Sequence, residues 1–209
     1  MKVLVIGATG TIGKAVVDVL NSAHEVIQAS RTKAPHTLDV TQLASIEGLF
    51  KVIGPVDAIV SLSGGARFAP LAELKEADYQ FSLANKLMGQ VNVVRAGLSF
   101  VRSGGSITLT SGVLAWHPMP GGAAISLVNG ALEGFVGGAA LEAPRGIRVN
   151  VVSPPWVTET LQALKMDPAP GRPAREVAAL YQRSIESSLT GHHFALGPDA
   201  HVITALQTR

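Results

Sequence analysis

Gly7, Gly10 and Gly13 stand at a spacing that can hold a phosphate. They follow an apolar, β-branched run at 3–6 and precede Thr11, after which Ile12, Val16, Val17, Val19 and Leu20 recur near helical spacing. A strand therefore turns on glycines into a helix whose first free N–H groups face back toward the strand's end, which makes a seat for an anion. Glycine gives such a turn φ freedom, room for a pyrophosphate against the backbone, and close packing of helix on strand. Thr9, Thr11 and Ile12 complete the G-x-x-G-x-x-G segment. Taken alone, the triplet also suits a plain turn in a chain with 22 glycines.

A second group of side chains can move protons or polarise an oxygen. Ser111 offers a hydroxyl, Lys86 a cation, and His117 a group whose intrinsic pKa suits general acid work. Two of them have plain alternatives, an exposed helical lysine for Lys86 and a partly buried loop residue for His117. His192 and His193 are adjacent, so on a strand they face opposite sides and make no two-ligand metal face; no metal site is expected.

The elements that must carry these residues alternate. A second strand at 25–29 ends on Ser30 and Arg31, with Lys33 close behind, and no carboxylate stands there to accept from a ribose 2′-hydroxyl. Ser30 and Arg31 suit a 2′-phosphate, so NADP(H) is expected in preference to NAD(H). A third strand is expected at 37–40, where Asp39 either accepts from an adenine amino group beside Val40 or caps a helix over 42–52. A fourth at 56–60 breaks into Ser61, Ser63, Gly64 and Gly65, small residues that leave floor space for a ribose or nicotinamide. Next come a long helix over 78–102 with a Leu83, Leu87, Val91, Val94, Leu98 core stripe, a fifth strand at 107–110, and a small-faced helix over 122–141. A sixth strand at 145–152, a loop, a helix over 175–187 and a last strand at 190–197 complete the chain. This pattern predicts an α/β fold, a parallel sheet with helices on both faces.

With 209 residues, of which 47% are hydrophobic and 15% charged, one domain over 1–209 is expected. The chain shows no signal-peptide pattern and no uncharged apolar run of about 18 residues, so a cytoplasmic, membrane-free protein is expected. The absence of cysteine removes thiol nucleophiles and disulfides. The net charge of +2 is scattered, which argues against nucleic acid as a partner.

The glycine segment at 7–13, Asp39-Val40, the Gly-Gly-Ser-Ile at 104–107, the Arg-Gly-Ile-Arg-Val-Asn-Val-Val-Ser-Pro at 145–154 and Thr190-Gly191 together resemble the short-chain dehydrogenase/reductase family along nearly the whole chain. The resemblance implies a Rossmann-type, doubly wound parallel sheet of about seven strands with a nicotinamide dinucleotide across its carboxyl ends. It also implies a serine, an asparagine and a Tyr-x-x-x-Lys pair as catalytic set. Aligned on that pair, Ile125 takes the tyrosine's place and Asn129 the lysine's; Lys86 stands where the asparagine is expected, next to Asn85. An ungapped count puts Gly112 at the serine, with Ser111 one residue away. Asn129 and Pro154 fall among the cofactor positions; Pro155 replaces a glycine and leaves Trp156 and Val157 to line the nicotinamide pocket, while Trp116 and Trp156 either wall off a small cavity or belong to the core.

Three functions fit: an NADP(H)-dependent reductase of a small carbonyl or alcohol compound using Ser111, Lys86 or His117; a dinucleotide-binding protein without hydride transfer; and a structural homo-oligomer. In relatives the 122–141 helix packs on its counterpart across a two-fold axis, so a homodimer or homotetramer is expected.

Overall fold

The computed structural model describes residues 1–197 and the backbone of the strand at 201–202. Strands β1 (Lys2–Ile6), β2 (Glu25–Ser30), β3 (His36–Thr37), β4 (Val56–Ser61), β5 (Val101–Thr110), β6 (Arg148–Val152) and β7 (His192–Phe194) run parallel in one sheet, and β8 (His201–Val202) pairs antiparallel with β7. Their order is β3-β2-β1-β4-β5-β6-β7-β8. The chain reverses direction across the sheet between β1 and β4, which opens a crevice at the carboxyl ends of those strands.

Both faces of the sheet are covered, so the strands are apolar on both sides. In β1, Leu4 and Ile6 join one core while Val3 and Val5 join the other, as a two-residue side-chain period requires. The first core receives α2 (Leu43–Ile53), α4 (Gly89–Gly97) and α5 (Ala123–Glu142) through Phe50, Val93, Leu132 and Val136. The second receives α1 (Thr11–Leu20) and α7 (Ala174–Glu186) through Val16, Leu20, Val177 and Tyr181. Each of the buried Val, Leu and Phe side chains among these contributes roughly 1.5–3 kcal/mol. By length and composition α5 could cross a membrane; its buried stripe of Val128, Leu132 and Val136 instead lies in the fold's core.

The β1–α1 turn depends on its glycines. A Cβ at Gly13 would lie 2.1 Å from the Gly7 carbonyl oxygen, so α1 presses directly on the turn. Gly7 itself has φ +89°, and a Cβ there would meet the Leu62 backbone at 2.9 Å.

Several elements differ from the sequence expectation. The third strand is His36–Thr37, not 37–40, because Asp39 Oδ1 accepts from the Thr41 N–H (2.9 Å) and hydroxyl (2.8 Å) and bends the chain away from the ladder. The same turn overturns Asp39 as a helix cap: Gln42 occupies the cap position of α2, without a side-chain bond. The long helix over 78–102 is three pieces, α3 (Glu76–Ser82), a π-helical turn at Leu83–Met88, and α4, which ends at Gly97. The wider π turn rotates the inward face, so Gly89, Val93, Ala96 and Gly97 are buried while Leu83, Leu87, Val91 and Leu98 are only partly so.

β5 starts six residues earlier than expected and carries an irregularity in its pairing with β4 between Val56 and Ala58, which absorbs the Gly104-Gly105 pair. Residues 145–147 do not belong to β6. Pro144 opens a 3₁₀ turn in which Arg145 has φ 57° and donates to the Leu98 and Val101 carbonyls. The loop after Val157 begins with a short helix, α6 (Thr158–Ala163). The last expected strand shortens to β7, since Thr190 Oγ1 accepts the Val149 N–H and Gly191 turns at φ 64°.

Gln90, a polar residue on α4 that no motif marks, ties this layer to the sheet. Its side chain has no exposure; Nε2 donates to the Thr110 carbonyl (2.8 Å) and Oε1 accepts the Thr110 N–H (2.7 Å). The pair satisfies the end of β5 beyond the last β4 partner, Thr108↔Val60. Gln90→Ala would leave a donor and an acceptor buried without partners, and urea unfolding is expected to show a loss of about 2–4 kcal/mol.

Candidate functional site

Two cavities open at the carboxyl edge of the sheet. The larger, about 400 Å³, lies over the ends of β1, β2 and β4. Gly7, Thr9 and Gly10 line it at the glycine turn, Ser30 and Arg31 at the end of β2, Asp39 and Val40 beside them, and Ser63, Gly64 and Gly65 after β4. Residues far apart in the chain thus meet in one cleft. Thr11, Ile12 and Gly13 do not line it; they form the first turn of α1, after Gly10 at the cap position, and Ile12 packs toward the core. Such a first turn keeps N–H groups free of intrahelical partners.

The Ser30 hydroxyl accepts the Lys33 N–H at 3.1 Å, which curls the chain after β2 and leaves Arg31 exposed at the rim. Ser61 and Ser63 join their hydroxyls at 3.1 Å below the Gly64-Gly65 segment. A Cβ at Gly64 would lie 2.6 Å from Lys86 Cα, so this segment lies directly on the π turn.

The second cavity, about 190 Å³, lies on the other side of that contact. Lys86, Ser111 and Asn129 bring polar groups to it, and Ile125, Leu114 and Trp156 give it apolar walls. The Lys86 Nζ donates to the Ser111 carbonyl at 2.9 Å, and burial of the ammonium pushes its pKa down from 10.5 to about 8. No carboxylate among the described residues lies within ion-pair distance of it. Asn129, 1% exposed, donates through Nδ2 to the Gly112 carbonyl (3.2 Å), while its Oδ1 is buried with no partner among the described residues.

The structure reassigns three of the expected site residues. Ser111 reaches the cavity wall, but its hydroxyl donates to Glu133 Oε1 at 2.7 Å and is therefore committed to the interior. His117 follows the 3₁₀ turn Val113–Ala115, is exposed, and lines neither cavity; Trp116 beside it is half exposed. Val157 is buried in the second core and bridges to Arg172, while Pro154, Pro155 and Trp156 line the cavity instead. Neither tyrosine reaches the second cavity. Tyr181 is fully buried on α7, with its hydroxyl 2.9 Å from Thr110 Oγ1, and burial pushes its phenol well above the usual range.

Sequence reasoning passed over Glu133 and His193 as a site. Both are buried, and His193 Nε2 lies 3.5 Å from the Glu133 oxygen that takes the Ser111 hydroxyl. A glutamate four residues after Asn129, on the same face of α5, was the one available signal.

A family model described as enoyl-(acyl carrier protein) reductase matches residues 11–188. Among solved structures, the protein lin1944 from Listeria innocua superposes with a TM-score of 0.91 at 39% identity, over 94% of this chain and 100% of that one. A small-chain dehydrogenase in complex with NADPH superposes with a TM-score of 0.83 at 25% identity, over 94% of this chain and 96% of that one. An uncharacterised oxidoreductase of Methylorubrum extorquens is 36% identical over 124 residues, 57% of this chain and 50% of that protein. The chain spans about half the length of the curated relatives it matches.

Lys86 gives a direct test of the second cavity. Trace acetylation with acetic anhydride, followed residue by residue by mass spectrometry across pH, is expected to give Lys86 a midpoint near 8. The other lysines, followed in the same digest, serve as internal references.

Proposed function

Because the chain belongs to the short-chain dehydrogenase/reductase family, we propose that it is an NADP(H)-dependent oxidoreductase acting on a small carbonyl or alcohol compound, with Lys86 as the proton donor in place of the family's tyrosine. The observation that carries this reading is the larger cavity, which joins Gly7, Gly10, Arg31, Asp39 and Ser63 at the point where the strand order reverses. The residues present fit the dinucleotide. The glycine turn leaves backbone room and the free N–H groups of α1 for a pyrophosphate, and Arg31 at the rim suits a 2′-phosphate. In the second cavity the unpartnered Asn129 Oδ1 suits a ribose hydroxyl or a carboxamide N–H.

When bound, the dinucleotide supplies or takes up a hydride at its nicotinamide ring. The chain's own part is proton transfer and positioning. Lys86, with a pKa of about 8, is mainly an ammonium at pH 7 and can both polarise a carbonyl oxygen and give it a proton. The apolar walls of Leu114, Ile125 and Trp156 limit the contact of that ammonium with water, which strengthens the interaction. The supply of ammonium falls as pH rises through 8, so carbonyl reduction is expected to decline above that pH, with the reverse reaction favoured.

A second reading, dinucleotide binding without hydride transfer, is favoured by Ile125, an apolar wall where a phenol is expected. The homo-oligomer is proposed on α5, whose Gly130, Gly134 and Gly138 are exposed with nothing within 4 Å of where their Cβ atoms would be.

The first test is titration with NADPH and with NADH, followed by nicotinamide fluorescence and calorimetry. Tighter binding of NADPH is expected, and loss of that preference in Arg31→Asp; binding of neither nucleotide would overturn the reading. For turnover, NADPH oxidation would be followed with small ketones, 1,2-diketones and quinones. Lys86→Ala is expected to reduce it by about 10²–10⁴-fold, the usual weight of a general acid. No hydride transfer to any of them, with NADPH bound, would favour the second reading.

A further inference from the structure

We propose that Glu133 is a positioning residue for Lys86, acting through Ser111: it holds the Ser111 hydroxyl inward and so fixes the carbonyl that anchors the lysine's ammonium. The inference rests on the reading of Lys86 as the working donor of the second cavity.

Every polar group of Ser111 is engaged. Its N–H donates to the Val152 carbonyl at 2.9 Å, its hydroxyl donates to Glu133 Oε1 at 2.7 Å, and its carbonyl accepts from Lys86 Nζ at 2.9 Å. The first bond continues the sheet, but the other two come from opposite sides, one from α5 and one from the π turn. One turn earlier on α5, Asn129 Nδ2 takes the Gly112 carbonyl at 3.2 Å. Residues 111 and 112 are thus clamped to α5 at two successive positions of one helix face.

Glu133 is an expensive residue to place there. It is 3% exposed on a helix whose other buried residues, Asn129 apart, are apolar, and a buried carboxyl needs hydrogen bonds or a countercharge to be tolerated. Its Oε1 accepts the Ser111 hydroxyl, and the ring of His193, on β7, stands beside it with Nε2 at 3.5 Å. A chain needing only packing at this place would carry an aliphatic side chain. A carboxyl oxygen can do what an aliphatic cannot, which is to accept the hydroxyl hydrogen and set the rotation of Ser111.

The consequence falls on Lys86. Its side chain meets the chain's polar groups at the Ser111 carbonyl, with Gly64 against its Cα and Asn129 sharing the cavity. With Ser111 held, the ammonium stays in the apolar cavity, away from water. With Ser111 released, it can swing toward the solvated mouth.

The test is the pH midpoint of Lys86 acetylation in the wild-type protein and in Glu133→Ala, Glu133→Gln, Ser111→Ala and the Glu133→Ala/Ser111→Ala double variant, each checked for cooperative thermal unfolding. Glu133→Ala is expected to raise the midpoint by about one pH unit toward the ordinary lysine value. Ser111→Ala is expected to match it and the double variant to add nothing further, as two residues acting in series must. Glu133→Gln, which keeps an accepting oxygen, is expected to stay near the wild-type midpoint. A midpoint unchanged or lowered in both Glu133→Ala and Ser111→Ala would overturn the proposal. If Glu133→Ala does not fold, Ser111→Ala and Glu133→Gln decide it alone. NADPH titration of the same proteins reports on the proposed cofactor independently, so failure of one reading is not mistaken for failure of the other.

Discussion

The approach of α1 to the end of β1 is the constraint on which the rest of the molecule depends. Gly13 stands against the Gly7 carbonyl with no room for a Cβ, and Gly7 stands in turn against the backbone after β4. One contact fixes the helix to its strand, and the other fixes that strand's turn against its neighbour across the point of reversal. Side chains larger than hydrogen would push α1 outward and fill the space over the strand ends. The larger cavity exists because these backbones meet directly, and its position at the switch point follows from the strand order.

The second cavity is built on a different principle, the satisfaction of buried polar groups. Gln90 holds both backbone groups of Thr110, Glu133 holds the Ser111 hydroxyl, and Asn129 holds the Gly112 carbonyl. Three successive residues, the last of β5 and the two after it, are therefore positioned by side chains from α4 and α5. Hydrogen bonds of this kind add modestly to net stability but are costly to leave unmade, so they specify one geometry more than they strengthen the fold. The π turn supplies the remaining part. It turns α4's inward face away from that of the preceding helix and brings Lys86 to the same strand end.

The two cavities also differ in what holds charge. The larger one offers backbone dipoles and an exposed guanidinium, both of which suit a ligand that carries its own phosphates. The smaller offers a single enclosed ammonium, whose lowered pKa comes from burial and not from a neighbouring charge. An amine in that state gains from any oxygen that shares its proton, and this is what makes the apolar walls around it chemically useful.

The sequence by itself determined the fold class and the glycine turn. Both are written in short-range patterns: apolar runs of strand length, glycines at a fixed spacing and helical periodicity after them. Arg31 and Ser63 were legible as residues following strand ends for the same reason, and the parallel sheet brings them into one cleft with Asp39, which stands in the turn after β3 and not in the strand expected at 37–40. What only the tertiary structure decided lies where side chains from distant segments compete for the same hydrogen bond. Nothing local in 78–102 distinguishes a π turn from a continuous helix, because the choice depends on packing at Gly89 and on what Lys86 and Gln90 reach across the sheet. Likewise Ser111 reads as a hydroxyl available to a substrate until Glu133, 22 positions later, takes its hydrogen. Periodicity reports which face of an element is apolar; it carries no information on which polar partner, from which distant element, a buried group will find.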